Sequence, residues 1–204
     1  MTDWGDAGLR AEMIGAEVGR TENVELVGPH LRLSGVIDLG RFARLTDKVN
    51  HSRGFVRIHD ARLLRRNGDP TSLIVPVLMV NQDEITFIGQ GEHVLAEAPA
   101  ETPEDLMSGD RPTLEKSARR FVVFTPGHAI SGNIHVHQEM TIENFVEATD
   151  TRFIGMTAVS ARSLADRRVI SHFEFLLVNR TQMTAIAETE HRSVVSADVA
   201  EALA

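Results

Sequence analysis

The feature that most constrains this chain is a short segment that occurs twice. The first copy spans residues 29–37 and the second spans residues 126–134. Five positions correspond without a gap: Pro29/Pro126, Leu33/Ile130, Ser34/Ser131, Gly35/Gly132 and Ile37/Ile134. The repeat predicts two units of the same fold. Two copies are fewer than a solenoid needs, so we expect the units to pack as a pseudo-two-fold pair.

The residues around each copy alternate as β-strands do. Leu33, Ile37 and Leu39 recur at every second position and therefore share one face of a strand. Gly35 lies on that same face in mid-strand, where a glycine usually marks a bulge or a sharp bend. Its recurrence as Gly132 predicts the same backbone feature in both units.

A short helical segment interrupts the strand pattern in each unit. Leu45 and Val49 are four residues apart, and Ile142 and Val146 occupy the same places in the second unit. One helical turn puts each pair on one face. Thr141 is suited to cap the second segment. A short helix or a structured loop is therefore expected between two strands of each unit.

Residues 72–80 are predicted to form a largely apolar strand that contains Pro76. Proline has no N–H to donate, so this strand should lie at a sheet edge or carry a bulge. A turn follows at Asn81, and the second unit has its equivalent turn at Asn179. We treat Asn81 and Asn179, with the two glycines, as the structural positions of the repeat.

The predicted fold class is all-β, with two tandem homologous small barrels of Sm-like or SH3-like type and short helices within each unit and at the termini. Poor apolar content and three prolines indicate a linker between the units. Either end of the chain is read as a short helix or a loosely ordered end. The predicted segments are a leader at 1–22, a first repeat at 23–90, an acidic linker at 91–118, a second repeat at 119–188 and a tail at 189–204.

Composition excludes several classes of function. The chain contains no Cys, so disulfides, thiolate metal sites and cysteine nucleophiles are ruled out. The net charge of -8 disfavours nucleic acid and anionic lipid on average, although a local basic face is compatible with it. No apolar run approaches the roughly 20 residues of a membrane helix, so membrane insertion is not expected. We expect a cytoplasmic location.

The pattern resembles an Sm-like (LSm) small barrel. The residues that carry the resemblance are Gly35 in a bent strand, Asn50, and a hairpin with Val80-Asn81 and Ile85. The chain is also similar to short, uncharacterised bacterial domains with an Arg-Leu-Thr-Asp-x-x-Asn segment, here residues 44–50. The second unit keeps the apolar positions of that segment and loses its Arg and Asp. An Sm-like identity would imply ring assembly and RNA binding; the bacterial domains imply no function.

A basic cluster in the first unit is a candidate anion-binding face. Nine bases face three acids between residues 31 and 66, a local +6. The residues proposed to bind an anionic partner are Arg32, Arg41, Arg44, Lys48, Arg57 and Arg62. An acidic protein surface, within the chain or on a partner, is one interpretation, and RNA is the alternative. Phe42 and Phe55 are the aromatic residues nearby that could stack on bases.

Two histidines form a candidate metal site in the second unit. His135 and His137 are two apart on a predicted strand and therefore project from one face. With His128, His172 or Glu139 they could hold a divalent cation, since neutral imidazole is a common ligand. The alternative is an exposed polar strand face with two ordinary histidines.

No phosphate-binding loop, nucleophile elbow or zinc-protease motif is present, so we expect neither an enzyme nor a cofactor. What both units share is mainly apolar or turn-forming. The predicted function is a non-catalytic protein-interaction or scaffold module, with a protein partner or self-association, through the Arg-rich face and sheet edges at Pro76 and its counterpart. RNA binding and metal binding are the two alternatives.

Overall fold

The computed structural model describes residues 20–65, 70–90, 116–137, 139–165 and 170–189. The elements of the first half are β1 (Arg20–Val27), β2 (Arg32–Gly40), α1 (Leu45–His51), β3 (Phe55–Leu64), β4 (Pro70–Asn81) and β5 (Phe87–Gln90). Those of the second half are β6 (Lys116–Phe124), β7 (His128–His137), α2 (Ile142–Ala148), β8 (Phe153–Ser163), β9 (Ile170–Asn179) and β10 (Ala185–Glu188). A single 3-10 turn precedes β5, and another precedes β10.

The ten strands form one antiparallel sheet in the order β10-β6-β7-β8-β9-β5-β1-β2-β3-β4. The prediction of an all-β fold is confirmed. The predicted pair of small barrels is not confirmed, because this sheet is open and continuous across both halves. Within the described residues, β4 and β10 are its two outer strands.

The two halves have the same internal order of strands and the same place for their helix. The first half runs β5-β1-β2-β3-β4 and the second runs β10-β6-β7-β8-β9. A two-fold axis would pair a strand with its own counterpart. Instead β5 pairs with β9, and the counterpart of β9 is β4. The expected pseudo-two-fold packing is therefore wrong, and the halves are joined head to tail.

The predicted irregularity at the repeated glycine is confirmed in both halves. The β2–β3 register shifts between Ser34 and Val36, across Gly35, and the β7–β8 register shifts across Gly132. Asp60 and Ala158, on the opposing strands, adopt the left-handed conformation with φ of 49° and 51°. Each bulge sets one extra residue against the glycine, which bends the sheet around the core.

Both predicted helices form. Thr141 caps α2, since its side-chain oxygen accepts a hydrogen bond from the N–H of Asn144 at 3.2 Å. Leu45 and Val49 of α1 are buried, whereas α2 buries none of its residues. Equivalent helices of the two halves therefore differ in burial, and so do equivalent strands at the edges of the sheet.

The strands extend further than the predicted repeat boundaries. β1 begins at Arg20, inside the predicted leader, and β6 begins at Lys116, inside the predicted linker. The rest of the leader and linker and the tail beyond Thr189 lie outside the described residues, as do the helices predicted at the termini. β4 lies at the edge of the sheet, as Pro76 predicts. Neither helix of the described chain has the length and apolar character needed to cross a membrane.

The core consists of two apolar clusters, one per half. Leu26, Leu33 and Ile37 lie in the first cluster, and Phe121, Ile130 and Ile134 lie in the second. Leu33 and Ile37 are the alternating residues that the sequence pattern placed on one strand face, with Ile130 and Ile134 as their counterparts. The pattern therefore identified the buried face correctly in both halves.

Candidate interaction surface

The halves meet at a seam that we define by the pairing of β5 with β9 and the contact of α1 with the start of β8. Facing residues along the strands are Phe87/Val178, Ile88/Leu177 and Gly89/Leu176. The N–H of Asn179 extends the ladder by donating to the carbonyl of Thr86 at 2.9 Å. The seam is thus a main-chain ladder within one sheet, and its geometry fixes how the halves are oriented.

The side chain of Asn179 forms hydrogen bonds to both halves at the seam. Its buried amide nitrogen donates to the carbonyls of Gln82 and Ile85, at 2.9 and 2.7 Å, in the other half. Its oxygen accepts from the N–H of Thr181 at 3.1 Å, which caps the 3-10 turn in its own half. One side chain therefore satisfies backbone groups on both sides of the seam.

A second polar contact joins α1 to β8. Asn50 donates to the carbonyl of Phe153 at 3.0 Å and accepts from its N–H at 2.8 Å. Beside it, Arg152 forms an ion pair with Asp83 and donates to Gln82 Oε1 at 3.1 Å. The start of β8 is therefore held to the first half through both backbone and side chain.

The halves also exchange apolar side chains across the seam. Phe153 and Leu177 belong to the second half but lie in the core cluster of the first. Val27 and Phe87 belong to the first half but lie in the cluster of the second. Each core is therefore completed by the other half along this edge.

Strand register identifies the counterparts of the seam residues at the outer edges. β3 pairs with β4 in the register that β8 has with β9, and β5 pairs with β1 as β10 does with β6. On the β9 side of the seam, Phe153, Leu177, Val178 and Asn179 correspond to Phe55, Met79, Val80 and Asn81. On the β5 side, Leu45, Val49, Ile85 and Ile88 correspond to Ile142, Val146, Met183 and Ile186.

The outer edge of β4, which we call the β4 edge, exposes what the seam buries. Phe153 and Leu177 are 1% and 0% exposed, whereas Phe55 and Met79 are 51% and 50% exposed. Asn81 keeps the local cap to Asp83 N–H at 3.0 Å, as Asn179 does with its own turn. At these positions the β4 edge thus carries large apolar side chains and a capping Asn, as β9 does. Unlike β9, it is not covered by another half in the part of the chain that the structure describes.

The opposite edge, which we call the β10 end and which comprises α2, β10 and the turn before it, shows the complementary difference. Leu45, Val49, Ile85 and Ile88 are all buried at the seam, whereas none of their counterparts at the β10 end is. An open groove of about 400 Å³ lies there, lined by Val146, Met183, Ala185 and Ile186 and by the polar residues Arg180, Thr181 and Thr184. Within the described residues, the β10 end therefore presents an open groove with a mixed apolar and polar lining where the first half receives β9.

An ion pair holds β10 to the sheet. Arg119 donates to both carboxylate oxygens of Glu188 and to the carbonyl of Met140. The hydrogen bond from Arg119 lowers the pKa of the Glu188 carboxyl. Because this pair is close to solvent, we expect it to contribute little to the free energy of folding. Its role is to attach the end of β10 to β6.

The predicted anion-binding residues are divided by their contacts. Arg32 donates to Glu25 Oε1 at 2.7 Å and to Ser171 Oγ at 3.3 Å, so its charge is matched inside the fold. Arg57 and Arg62 are exposed on β3, and Arg57 stands opposite Met79 at the β4 edge. Arg62 lies between β2 and β4, opposite Ser34 of β2 and Ile74 of β4.

The remaining predicted bases lie around α1. Arg41 and Lys48 lie over the ring of Phe42, at 5.3 and 5.8 Å from its centroid, and His51 lies 5.1 Å from that ring. Arg44 is the exposed residue that precedes α1. The structure brings Arg41 and Lys48 together, and no contact joins them to Arg57 or Arg62 within the described residues.

The predicted histidine pair lies on β7. His135 is exposed, with its Nε2 atom 3.4 Å from Thr157 Oγ1, and His137 is partly buried. No group of three or more His, Asp or Glu side chains within metal-binding reach occurs in the described part of the chain. His128 lies at the opposite end of β7, near Phe87, and does not join the pair.

His128 occupies a small enclosed site at the seam. Its ring packs edge-on against Phe87, with centroids 5.2 Å apart, and Arg32 lines the same cavity. Burial, and secondarily the positive charge of Arg32, lower the pKa of His128. Both effects disfavour the protonated imidazole at this position.

Sequence reasoning missed the seam and the unequal burial at the two ends. A signal was present: Phe55 and Phe153 occupy equivalent places, and both are large and apolar. Periodicity alone could not show that one is covered and the other is exposed, because alternation reports a strand face and not its neighbour.

No known protein-family model matches this chain, and no curated protein or solved structure matches it either.

Proposed function

We propose that this protein is a non-catalytic assembly module that makes its contacts through the two outer edges of its sheet. The observation that carries the proposal is the exposure of Phe55 and Met79 at positions whose counterparts are buried in the seam. A contact surface of this kind needs a partner and no reacting group.

The distribution of exposed apolar side chains supports this role. Phe55, Leu73, Ile74, Val77 and Met79, five of the seven large exposed hydrophobic residues in the described chain, lie on β3 and β4. A sixth, Val146, lies in α2 at the β10 end. Soluble proteins usually protect edge strands with charge, twist or a covering element, and contiguous apolar patches mark interaction sites.

The proposal includes a duplicated Sm-like module as its evolutionary basis. The common strand order, the glycine bulge at the same place and the helix between the second and third strands of each half support duplication. Duplication followed by fusion would place one module-to-module contact inside the chain and leave the equivalent surfaces at the ends.

Affinity capture from the native cell tests the interaction role. Tagged full-length protein is compared with Met79→Glu, which places a charge at the β4 edge. Leu164→Glu is the matched control, because Leu164 is also exposed and apolar but follows β8, away from both edges. We expect Met79→Glu to lose copurifying protein, including other copies of the chain, while the control retains it. Equal recovery by Met79→Glu would refute the proposed role of the edge.

Nucleic-acid binding is a second candidate, favoured by the group of Arg41, Lys48 and His51 around Phe42. A ring flanked by cations is suited to stack on a base. Binding to mixed-sequence RNA should weaken steeply with salt and be lost in Arg41→Glu. Absence of binding at low salt would eliminate this candidate, and Arg62→Glu is the control for a general loss of positive charge.

A further inference from the structure

We propose that the partner of the β4 edge is the β10 end of a second copy of the same chain. This inference rests on the proposed interaction role and names its partner. In the seam, the edge of β9 is covered by β5. Within the described residues, the counterpart of each, β4 and β10, has no strand on its outer side. Transferring the register of the seam predicts the intermolecular pairs Val80/Ala185, Met79/Ile186 and Leu78/Ala187.

The apolar surfaces of the two ends correspond in kind. In the seam, Phe153 and Leu177 enter the core beneath α1. In the assembly, Phe55 and Met79 of one copy would enter the groove beneath α2 of the next. That groove is open and uncovered, whereas its counterpart in the first half is filled. Phe55 and Met79 are half exposed in the single chain. Covering them would favour association, because removing apolar surface from water is favourable.

The polar groups correspond as well. Asn179 donates to two carbonyls that precede β5, those of Gln82 and Ile85. Asn81 of one copy would donate in the same way to the equivalent carbonyls of the next, which belong to Arg180 and Met183. Its local cap to the turn is already in place, so its amide nitrogen has the orientation that this contact needs.

Charge favours the same pairing. Glu147 follows Val146 as Asn50 follows Val49, so it would lie beside Phe55 of the next copy. Its carboxylate can accept a hydrogen bond from the N–H of Phe55, and the exposed Arg57 is two residues further along β3. An acidic helix at one end thus meets a basic strand at the other.

The geometry is heterologous, because the two contacting surfaces differ. Such a contact closes into a ring only if neighbouring copies are related by a pure rotation that divides a full turn, and otherwise it extends as a filament. In either form the β4 edge and the β10 end of every internal copy are covered, which removes both exposed edges of the sheet.

Sedimentation and light scattering of the purified full-length chain between about 1 and 100 µM test the self-association. We expect masses above the 22.5 kDa of one chain, and 22.5 kDa for Met79→Glu. Leu164→Glu should assemble as the wild type does. A wild-type chain that stays monomeric throughout this range overturns the proposal. If cellular capture still depends on Met79, the interaction role survives and only the identity of its partner is wrong.

Cysteine pairing tests the register and the head-to-tail direction, and the natural chain has no Cys to interfere. Met79→Cys and Ile186→Cys are prepared as separate proteins, mixed and oxidised; facing residues in adjacent strands are close enough for a disulfide. We expect the cross-linked dimer in the mixture and not in either protein alone. Leu164→Cys mixed with Ile186→Cys is the control and should give none. Cross-linking of Met79→Cys with itself would indicate symmetric pairing of β4 strands and overturn the proposal.

Discussion

At the scale of single residues, Asn81 and Asn179 show how one side chain acquires two different roles. Both accept a hydrogen bond from a backbone N–H two residues later and so shape the turn that follows. Only Asn179 also donates across the seam, because only β9 has another half beside it. The residue type therefore determines the local turn, and the tertiary surroundings determine the buried hydrogen bonds.

Replacing Asn179 should destabilise the fold more than replacing Asn81. Asn179→Ala removes the side-chain donor from the buried carbonyls of Gln82 and Ile85, of which, in the described chain, only that of Gln82 keeps a second bond, from the N–H of Ile85. We expect this loss, together with that of the turn cap, to cost about 2–4 kcal/mol of unfolding free energy. Asn81→Ala loses only the turn cap, about 1 kcal/mol. Urea denaturation in the Met79→Glu background, where the chain is expected to be monomeric, measures both. Equal losses would contradict the role assigned to the seam.

His128 should make stability depend on pH. Its folded-state pKa lies below the ordinary value of 6.5, so the unfolded chain binds the proton more readily. The full stability is therefore present above about pH 6.5 and is lost as the pH falls below it. His128→Gln should abolish this part of the dependence when unfolding free energies at about pH 7.5 and 5.5 are compared. An unchanged slope in the variant would show that other groups are responsible.

At the scale of elements, the bulge opposite Gly35 requires the absence of a side chain. A Cβ at this position would lie 2.8 Å from the carbonyl oxygen of His59 and 2.4 Å from a methyl carbon of Ile58. At Gly132 a Cβ would lie 2.9 Å from a methyl carbon of Val159 and 3.0 Å from the carbonyl oxygen of Thr157. Both glycines therefore face a branched side chain and a backbone carbonyl, but both distances are shorter at Gly35, so Gly35 should tolerate a side chain less well.

We expect Gly35→Ala to lower the free energy of unfolding by about 2–3 kcal/mol and Gly132→Ala by about 1 kcal/mol. Gly127→Ala is the control, because a Cβ added there would have no atom within 4 Å and the change should be close to neutral. Thermal and urea unfolding provide the comparison. If Gly35→Ala is as well tolerated as Gly127→Ala, the bulge does not need glycine.

The elements were predictable where local physics decides them. Alternation placed Leu33 and Ile37 on the buried face, Pro76 placed β4 at an edge, and the spacing of Leu45 and Val49 gave α1. The arrangement of the halves was not predictable in this way. Head-to-tail and two-fold packing bury the same kinds of strand, and nothing in the periodicity distinguishes them.

The candidate site was recovered less completely than the fold. Charge counting grouped six basic residues, whereas the contacts divide them: Arg32 is matched by Glu25, and Arg41 and Lys48 lie apart from Arg57. A count along the chain ignores which face each side chain occupies. The β4 edge was expected as a contact because of Pro76, but the exposure of Met79 there was missed, since Met79 looks like a core residue in the sequence.

At the scale of the whole molecule, head-to-tail joining has a consequence that two-fold joining lacks. A symmetric pair can complete itself, whereas a head-to-tail pair always leaves one surface of each type at its ends. The exposed β4 edge and the open groove at the β10 end are these two surfaces. A substitution that disrupts one end should therefore leave the other end able to bind a second copy.

This asymmetry predicts complementation between two defective chains. Met79→Glu disables the β4 edge and Ile186→Glu disables the β10 end, so each protein alone should be monomeric. Mixed in equal amounts, the intact β4 edge of one should bind the intact β10 end of the other, and growth should stop at twice the 22.5 kDa chain mass. Two chains that share the Met79→Glu change should not associate, because no intact β4 edge is present. If the mixture remained monomeric while the wild type assembled, the two ends would not be each other's partners, since a head-to-tail contact must be rescued by supplying its two halves on separate chains.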